Sequence, residues 1–202
     1  MKNNSQGSLT DVFRVDYLNK VEAPEMVFQK NDFSFALLQG GYPMNEILFT
    51  FIKYLMSVFD EQFFFISYNN IGTNNQIFTF NHDLKWEDFD KKSEQEDNGL
   101  SYLLLDDYYV YGQSGFWGIY RSEYWCIDII AYRKANTLEI EEGIASIFEL
   151  SHFKSVDYIL SLIVDEYRTF PKNRKMLLKF IENYLPHLVE EIISKLQIYH
   201  LD

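Results

Sequence analysis

The sequence predicts an α+β fold: a mainly antiparallel sheet with a packed helix and a C-terminal helical layer. Short β-prone runs separated by turn residues fill residues 26–132. Apolar residues at helical spacing then continue through residues 137–200. The chain has 202 residues, 47% of them hydrophobic, which favours one domain with its own core. We therefore predict a single domain over residues 1–202, with a flexible polar tail at residues 1–10.

The first predicted elements are two short strands and a helix. Met26–Phe28 and Phe33–Leu38 are predicted as strands because turn-forming residues separate them. Pro43 suits the first turn of a helix, where its missing N–H costs nothing. A helix from Met44 to Phe59, packed on the sheet, is predicted from apolar residues at helical spacing. These residues are Ile47, Leu48, Phe51, Ile52, Leu55 and Phe59.

A hairpin and a polar segment follow. The aromatic run Phe63–Tyr68 predicts a buried strand, and Gln76–Phe80 predicts the strand that returns beside it. Asn and Gly residues over 69–75 are typical of the loop between them. The next segment, His82–Asn98, is the most polar of the chain. Trp86 and Phe89, three residues apart, indicate one helical turn within it.

The central stretch, Asp106–Tyr132, predicts three consecutive antiparallel strands. They are expected over Tyr108–Tyr111, Phe116–Arg121 and Trp125–Tyr132, with a glycine-containing hairpin turn between the first two. Strand alternation predicts that one face of this meander is core and that the other is surface. Asp128 falls inside the third strand. It therefore needs a solvent-open position or a partner such as Arg121 or Arg133, because an unpaired buried carboxylate is expensive.

The C-terminal part predicts three or four helices over residues 137–200. Thr137 is the candidate N-cap of the first, and Ser155 that of the second. Pro171 is expected to open the third helix, and Pro186 to kink or restart it, because proline cannot donate to the helical hydrogen-bond ladder. The predicted inward residues around Pro186 are Met176, Leu177, Phe180, Ile181, Tyr184 and Leu185.

Charge and cysteine content limit the partners and the compartment. The formal net charge is −12, which argues against nucleic acid and against an anionic membrane surface and favours a basic protein partner. Acidity that serves solubility alone is the alternative. The single cysteine excludes an internal disulfide and a cysteine-rich zinc site, so a reducing compartment is expected. The longest apolar run, Ile47–Phe59, is too short to span a membrane, and no signal segment is seen, which predicts a cytoplasmic protein. The oligomeric state stays open.

No motif in the sequence has the spacing of a known catalytic site. The glycines of Gly112–Gly118 are not followed by the Lys-Ser or Lys-Thr of a phosphate loop, and Ser114 misses the nucleophile-elbow spacing by one residue. Cys126 lies in mid-strand, where a cysteine usually packs as a small apolar residue. His82 and Asp83 lack the spacing of a zinc helix or an EF-hand. We therefore predict no catalytic residue, no metal and no cofactor.

Acidic and aromatic residues of the central stretch predict a protein-binding surface instead. Tyrosine and tryptophan are enriched in interface hot spots, and acidic neighbours complement a basic partner. The predicted partner-binding residues are Asp106, Asp107, Tyr109, Tyr111, Trp117, Tyr120, Glu123, Tyr124 and Asp128. A secondary acidic surface is predicted at Asp83, Glu87, Asp88 and Asp90.

The same stretch carries a family resemblance. An aromatic strand, a glycine turn, Trp117–Tyr120, an acidic residue and Ile127–Ile130 together resemble the sheet segment of some small bacterial immunity proteins. Those are acidic cytosolic α/β proteins that neutralise a co-encoded toxin by binding it. The resemblance covers Tyr108–Tyr132 and implies a non-enzymatic inhibitor of a basic toxin domain.

Two other functions remain as alternatives. One is a small hydrolase or ligand-binding enzyme that uses Asp106, Asp128 and His82 in a cleft, which requires the three side chains to reach a common substrate. The other is a structural subunit of a larger assembly, as the high aromatic content, 18% of residues, suggests.

Overall fold

A computed structural model describes residues 26–28, 33–39, 44–68, 77–95, 99–123, 127–148 and 174–198. Six strands form one antiparallel sheet in the order β1-β6-β5-β4-β2-β3, and helices cover it, so the predicted α+β fold is confirmed. The strands are β1 Phe33–Gln39, β2 Phe63–Tyr68, β3 Ile77–Asn81, β4 Tyr108–Gly112, β5 Trp117–Ser122 and β6 Ile127–Arg133. The helices are α1 Glu46–Val58, α2 Trp86–Ser93, α3 Leu100–Leu103, α4 Thr137–Ile147, α5 Arg174–Tyr184 and α6 Val189–Ile198.

The hairpin and the three-stranded meander predicted from the sequence are both present in the sheet. The β2–β3 hairpin pairs Phe64 with Phe80, and the predicted meander is present as β4, β5 and β6. The turn between β4 and β5 places Gly115 at a φ of 70°, which glycine adopts without steric cost. The meander lies in the centre of the sheet because β4 pairs with β2 on one side and β6 pairs with β1 on the other.

Both faces of the meander are buried, so the prediction that one of its faces is surface is wrong. Every residue of β4 and β5 is buried, and so is β6 up to Tyr132. The reason is that helices cover the sheet on both sides, which is why these strands contain almost no alternation of apolar and polar residues. We name the two sides after their principal helices, the α1 face and the α5 face.

The α1 face is covered by α1 and by the elements that pack beside it. Helix α1 begins after Asn45, whose Oδ1 accepts a hydrogen bond from the Leu48 N–H at 2.9 Å. Phe49 of α1 packs on Phe89 of α2, with ring centroids 5.3 Å apart. Helix α4 crosses close to α1, since the Tyr54 hydroxyl donates to the Glu139 carbonyl at 2.7 Å. Together these contacts enclose a large aromatic core.

The α5 face is covered by α5 and by the segment Met26–Phe28. That segment was predicted as a strand but contributes only a single β-bridge residue, Phe28. The Val27 N–H donates to the Tyr184 hydroxyl at 2.9 Å, and the Tyr109 hydroxyl donates to the Val27 carbonyl at 3.5 Å. Through these backbone groups of Val27, the segment links α5 to Tyr109 in the middle of the sheet.

The C-terminal helices do not form one layer. Ile140 and Ile144 of α4 belong to the α1-face core, whereas Phe180 and Tyr184 of α5 belong to the α5-face core. Pro186 restarts the chain as predicted, with a 3-10 turn over Pro186–Leu188 between α5 and α6.

Thr137 is not an N-cap, contrary to the prediction. It is the first residue of α4, and its hydroxyl donates to the Lys134 carbonyl of the preceding 3-10 turn at 2.8 Å. The predicted starts at Ser155 and Pro171 lie outside the described residues. The single-domain organisation stays a prediction.

Candidate functional site

Three acidic residues meet at the open end of the β4–β5 hairpin. Asp107 precedes β4, and its Oδ1 accepts a hydrogen bond from the Glu123 N–H, at the end of β5, at 2.7 Å. Its Oδ2 accepts a hydrogen bond from the Tyr120 hydroxyl. The Asp107 N–H donates to Asp106 Oδ1 at 2.8 Å. We call Asp106, Asp107 and Glu123 the acidic patch.

The acidic patch is built by folding, and two of its three residues are exposed. Asp107 is half-buried and its hydrogen bonds join the start of β4 to the end of β5. The side chains of Asp106 and Glu123 therefore project from adjoining positions. Burial raises the pKa of the neighbouring Tyr68, and the charge of Asp106 raises it further. The Tyr68 phenol therefore lies within the electrostatic reach of the acidic patch.

Five of the predicted partner-binding residues are buried instead of exposed. Their exposed fractions are 2% for Tyr109, 0% for Tyr111, Trp117 and Tyr120, and 2% for Asp128. A partner that leaves the fold intact therefore has no access to these side chains. The four aromatic residues among them are predicted to lie on an exposed face of the sheet. In the structure the three tyrosines belong to the core of the α5 face, which α5 covers. Tyr124 lies outside the described residues.

Asp128 is buried and is paired with Arg121, one of the two partners that the sequence offers for it. Arg121 binds it in a two-pronged contact, Nε to Oδ1 at 2.7 Å and NH2 to Oδ2 at 2.6 Å, and both side chains are buried. Burial raises the pKa of Asp128, and the facing guanidinium offsets part of that rise. The pair joins neighbouring strands β5 and β6 on the α1 face. It is a structural contact between strands and is not open to a substrate.

A second buried carboxylate, Glu61, was missed by the sequence analysis. Glu61 Oε1 accepts hydrogen bonds from the Ser114 N–H at 2.8 Å and from the Ser114 hydroxyl, and Oε2 accepts one from Trp117 Nε1 at 2.9 Å. Burial raises its pKa, and these hydrogen bonds oppose the rise. Glu61 therefore anchors the β4–β5 turn to the residues before β2. The Ser114 hydroxyl donates its hydrogen bond to Glu61 and has a structural role in the turn.

The Glu61 contact depends on a glycine. A Cβ on Gly112 would lie 1.9 Å from Glu61 Oε2 and 2.4 Å from Trp117 Nε1. Only a residue without a side chain allows this approach. The one signal in the sequence is an acidic residue two positions before the aromatic strand β2, and nothing local connects it to a turn more than fifty residues away.

The secondary acidic surface lies on and before α2. Asp83, Glu87 and Asp88 are exposed, and Asp90 is half-buried. Glu87 and Asp88 occupy the first turn of α2, where carboxylates are favoured by the helix dipole. Burial lowers the pKa of Lys53, and Asp83 acts in the opposite direction, so part of this surface faces a basic residue.

The acid–base set of the enzyme alternative is not brought together. His82 follows β3 at the Phe63 end of β2, whereas Asp106 precedes Tyr108, which pairs with Tyr68 at the other end. The two ends of β2, Phe63 and Tyr68, are five residue-to-residue steps apart, about 17 Å. Asp128 is buried against Arg121. These three side chains therefore cannot act on a common substrate in this fold.

Within the described ranges, no group of three or more histidine, cysteine or acidic side chains is arranged to hold a metal ion. The helices of the same ranges include none with the length and apolar character needed to cross a membrane. No protein-family model, curated protein or solved structure matches the chain.

Proposed function

We propose that the protein acts by binding, as an immunity-type inhibitor of a basic protein partner, and that the acidic patch is its principal contact surface. The observation that carries this proposal is the geometry of Asp107. Its carboxylate is hydrogen bonded to the Tyr120 hydroxyl and to the backbone of Glu123, which fixes the loop ends that carry Asp106 and Glu123. Two exposed acidic side chains on a fixed backbone form a surface that is ordered before any partner arrives.

The overall charge supports a basic partner. The chain carries a formal net charge of −12, which would steer an oppositely charged protein towards it from solution. The exposed carboxylates of the secondary acidic surface add to the same field. Complementary charge of this kind raises the rate of association and selects among partners more than it raises affinity.

The use made of the buried carboxylates also supports binding rather than catalysis. In the part of the chain that the structure describes, Glu61 and Asp128 are the buried acidic residues, and both accept hydrogen bonds from protein donors. Such groups stabilise the hairpin and the central strands. The carboxylates of Asp106 and Glu123, by contrast, are exposed, where another protein can reach them.

The proposal is tested first by co-expression. Each reading frame next to the gene would be expressed in a sensitive host with and without this protein, and growth measured. We expect one neighbour to inhibit growth and the wild-type protein to restore it. The double variant Asp106→Lys/Glu123→Lys should fail to restore growth, while Asp83→Lys/Glu87→Lys, which reverses the same number of charges elsewhere, should restore it at least in part.

Binding kinetics give the second readout with the inhibited neighbour as probe. The patch variant should slow association by about tenfold or more at low salt, and the difference from wild type should shrink as salt is raised. If no neighbour is toxic, or if rescue survives reversal of the patch, the acidic patch is not the contact surface of an inhibitor. Equal loss with both double variants would point to net charge alone.

A further inference from the structure

The segment that leads into β4 has one buried and one exposed side. Helix α3 winds on for three residues beyond its last turn, because the Leu104 N–H donates to the Leu100 carbonyl at 3.0 Å and the Asp106 N–H to the Leu103 carbonyl at 3.2 Å. Residues three and four positions apart share one side of such a segment. Leu100, Leu103 and Leu104 follow this spacing, are buried and belong to the α1-face core.

The other side of the same segment is formed by Tyr102, Leu105 and Asp106, which follow the same spacing. The exposed fraction is 59% for Tyr102 and 53% for Leu105, and Asp106 is exposed as well. Core packing in the described part of the chain therefore does not account for the outward tyrosine and leucine. One exposed apolar side chain is ordinary, but two beside a fixed charge have the composition of an interface.

This outward side is continuous with the acidic patch through Asp106. The Asp107 N–H donates to Asp106 Oδ1 at 2.8 Å, and Asp107 Oδ1 accepts a hydrogen bond from the Glu123 N–H at 2.7 Å. These hydrogen bonds join the segment that carries Tyr102 and Leu105 to the end of β5, which carries Glu123. An apolar area and two exposed carboxylates therefore adjoin. We call Tyr102, Leu105, Asp106 and Glu123 the Tyr102 surface.

The composition of the Tyr102 surface favours arginine over lysine in a partner. A guanidinium is planar, so it can pair with a carboxylate through two N–H groups and also stack on an aromatic ring, whereas an ammonium is a strongly hydrated point charge. The interior of the protein contains such an arrangement. Arg121 binds the Asp128 carboxylate through two nitrogens, and its guanidinium lies 5.8 Å from the centre of the Tyr108 ring. The exposed Tyr102 and Asp106 offer the same two groups to another molecule.

We propose that the Tyr102 surface binds a basic segment of a partner protein through an arginine that has an apolar side chain beside it. The guanidinium pairs with Asp106 and stacks on Tyr102, and the apolar side chain packs on Leu105. Glu123 adds to the field that orients the arginine. This inference rests on the proposed function, because it names the partner chemistry of the acidic patch. It assigns most of the affinity to Tyr102 and Leu105 and the steering to the carboxylates.

The test uses the full chain and a random linear dodecapeptide library displayed on phage as the probe. Tyr102→Ala/Leu105→Ala removes the apolar pair and keeps both carboxylates. Asp106→Asn/Glu123→Gln removes the charges and keeps the side-chain shapes. Leu138→Ala is the matched control for the loss of an exposed leucine, because Leu138 is 72% exposed on α4. Thermal unfolding establishes that each variant is folded.

We expect enrichment of peptides in which an arginine adjoins an apolar residue. They should bind Tyr102→Ala/Leu105→Ala about tenfold or more weakly than wild type at low and at high salt, and Leu138→Ala as wild type does. Binding to Asp106→Asn/Glu123→Gln should weaken by about tenfold or more at low salt and by less at high salt.

A second comparison tests the stacking of the arginine. Replacing the peptide arginine by lysine should weaken binding to wild type by about fivefold or more. The same replacement should have little effect on binding to Tyr102→Leu, which keeps an apolar side chain but lacks the ring. Lysine peptides that bind wild type as tightly as arginine peptides would overturn the proposal.

The proposal is also overturned if no peptide is enriched, or if binding is unchanged in Tyr102→Ala/Leu105→Ala. Peptides that need the carboxylates but not the apolar pair would remove this inference alone and leave the acidic patch as the contact surface. Peptides that need both, with no toxic neighbour in co-expression, would support this inference and remove the inhibitor. Should the apolar-pair variant not fold, nuclear magnetic resonance of the wild type decides. Bound peptide must then shift the amide signals of Tyr102, Leu105 and Glu123, and unchanged signals there would exclude this surface.

Discussion

Glu61 is a carboxylate in an aromatic interior, and three donors stabilise it there. The hydroxyl and the N–H of Ser114 and the indole N–H of Trp117 all point to its two oxygens. Ionised acceptors form stronger hydrogen bonds than neutral ones, which is why the group tolerates burial. The carboxylate adds to the hydrogen bonds within the hairpin turn, which join the Gly115 N–H to the Gly112 carbonyl at 3.4 Å and the Phe116 N–H to the Ser114 hydroxyl at 3.1 Å.

We predict that Glu61→Gln destabilises the fold by about 1–3 kcal/mol at neutral pH. A glutamine has one acceptor oxygen, so its amide N–H2 would face either Ser114 or Trp117 as donor against donor. Trp117→Phe removes one of these donors. Urea unfolding of the two single variants and the double variant should therefore show a double variant more stable than the sum of the single effects predicts, by about 1 kcal/mol or more.

The control for this cycle is Trp86→Phe, which removes an indole of α2 whose ring packs against Phe49 and Phe89. Its effect should add to that of Glu61→Gln within about 0.5 kcal/mol. Additivity of the Trp117 pair to the same degree would show that the Glu61–Trp117 hydrogen bond contributes nothing specific.

At the same scale, the sequence identified some site residues and missed others for a physical reason. The sequence predicts for Asp128 either a solvent-open position or a partner such as Arg121 or Arg133, because an unpaired buried carboxylate is expensive, and in the structure Arg121 of the adjacent strand is that partner. Glu61 was missed because its partners lie more than fifty residues away, and no local pattern encodes that distance. Tyr109 and Tyr120 are predicted on a binding surface because tyrosine is enriched in interface hot spots, and the position of a tyrosine in the sequence does not reveal which element covers it.

At the scale of elements, strands and helices followed from local periodicity. The hairpin of β2 and β3, the meander and helix α1 begin and end within a few residues of their predicted bounds. What could not be predicted is the face on which each helix packs. Helices α4 and α5 are both amphipathic but lie on opposite faces of the sheet. Helical periodicity identifies the side of a helix that is buried, and it does not identify the face of the sheet that receives it. Because helices cover both faces, both faces of the meander are core.

The pair that joins β5 to β6 gives a prediction at this scale. Arg121→Met leaves the buried Asp128 carboxylate without its guanidinium and should cost about 3–5 kcal/mol. Asp128→Leu should cost a similar amount by leaving the guanidinium behind. The double variant Arg121→Met/Asp128→Leu replaces both charges by apolar groups of similar size and should unfold at a denaturant concentration close to or above that of wild type.

Denaturant midpoints of the four proteins, with near-ultraviolet circular dichroism as a check on packing, measure this effect. Arg133→Met is a useful control, since Arg133 ends β6 and is only half-buried, its guanidinium lying 4.3 Å from the centre of the Phe116 ring. It should cost much less than Arg121→Met. A double variant as unstable as the worse single variant would mean that the ion pair is needed for the strands to pair correctly.

At the scale of the whole molecule, charge and aromatic content describe different parts of the protein. The aromatic residues of the described sheet fill two cores, one on each face. The high aromatic content of the sheet therefore reflects a two-layered interior and not an exposed aromatic binding surface. The negative charge is left mostly outside. This division makes the surface a poor match for other acidic molecules and makes the stability of the chain depend on pH.

We predict that the free energy of unfolding decreases as pH rises from about 4.5 towards neutrality, and that Glu61 contributes to this slope. Burial raises the pKa of Glu61 above its ordinary value of 4.5, so the folded state holds this proton at pH values where the unfolded chain has lost it. Because the folded state binds more protons in that window, stability falls with rising pH through it and levels off above the folded-state pKa. Mutual repulsion of the acidic surface, with a net charge of −12 at pH 7, adds a decrease in the same direction.

Urea unfolding of wild type and Glu61→Gln across this pH range, at low and at high salt, separates the two contributions. High salt should reduce the part of the slope due to surface repulsion, because exposed charges are screened, and leave the part due to buried Glu61. The slope at high salt should therefore be shallower in Glu61→Gln than in wild type. Parallel profiles for the two proteins would mean that Glu61 has the same proton affinity in the folded and unfolded chains, and that its three hydrogen bonds fully offset its burial.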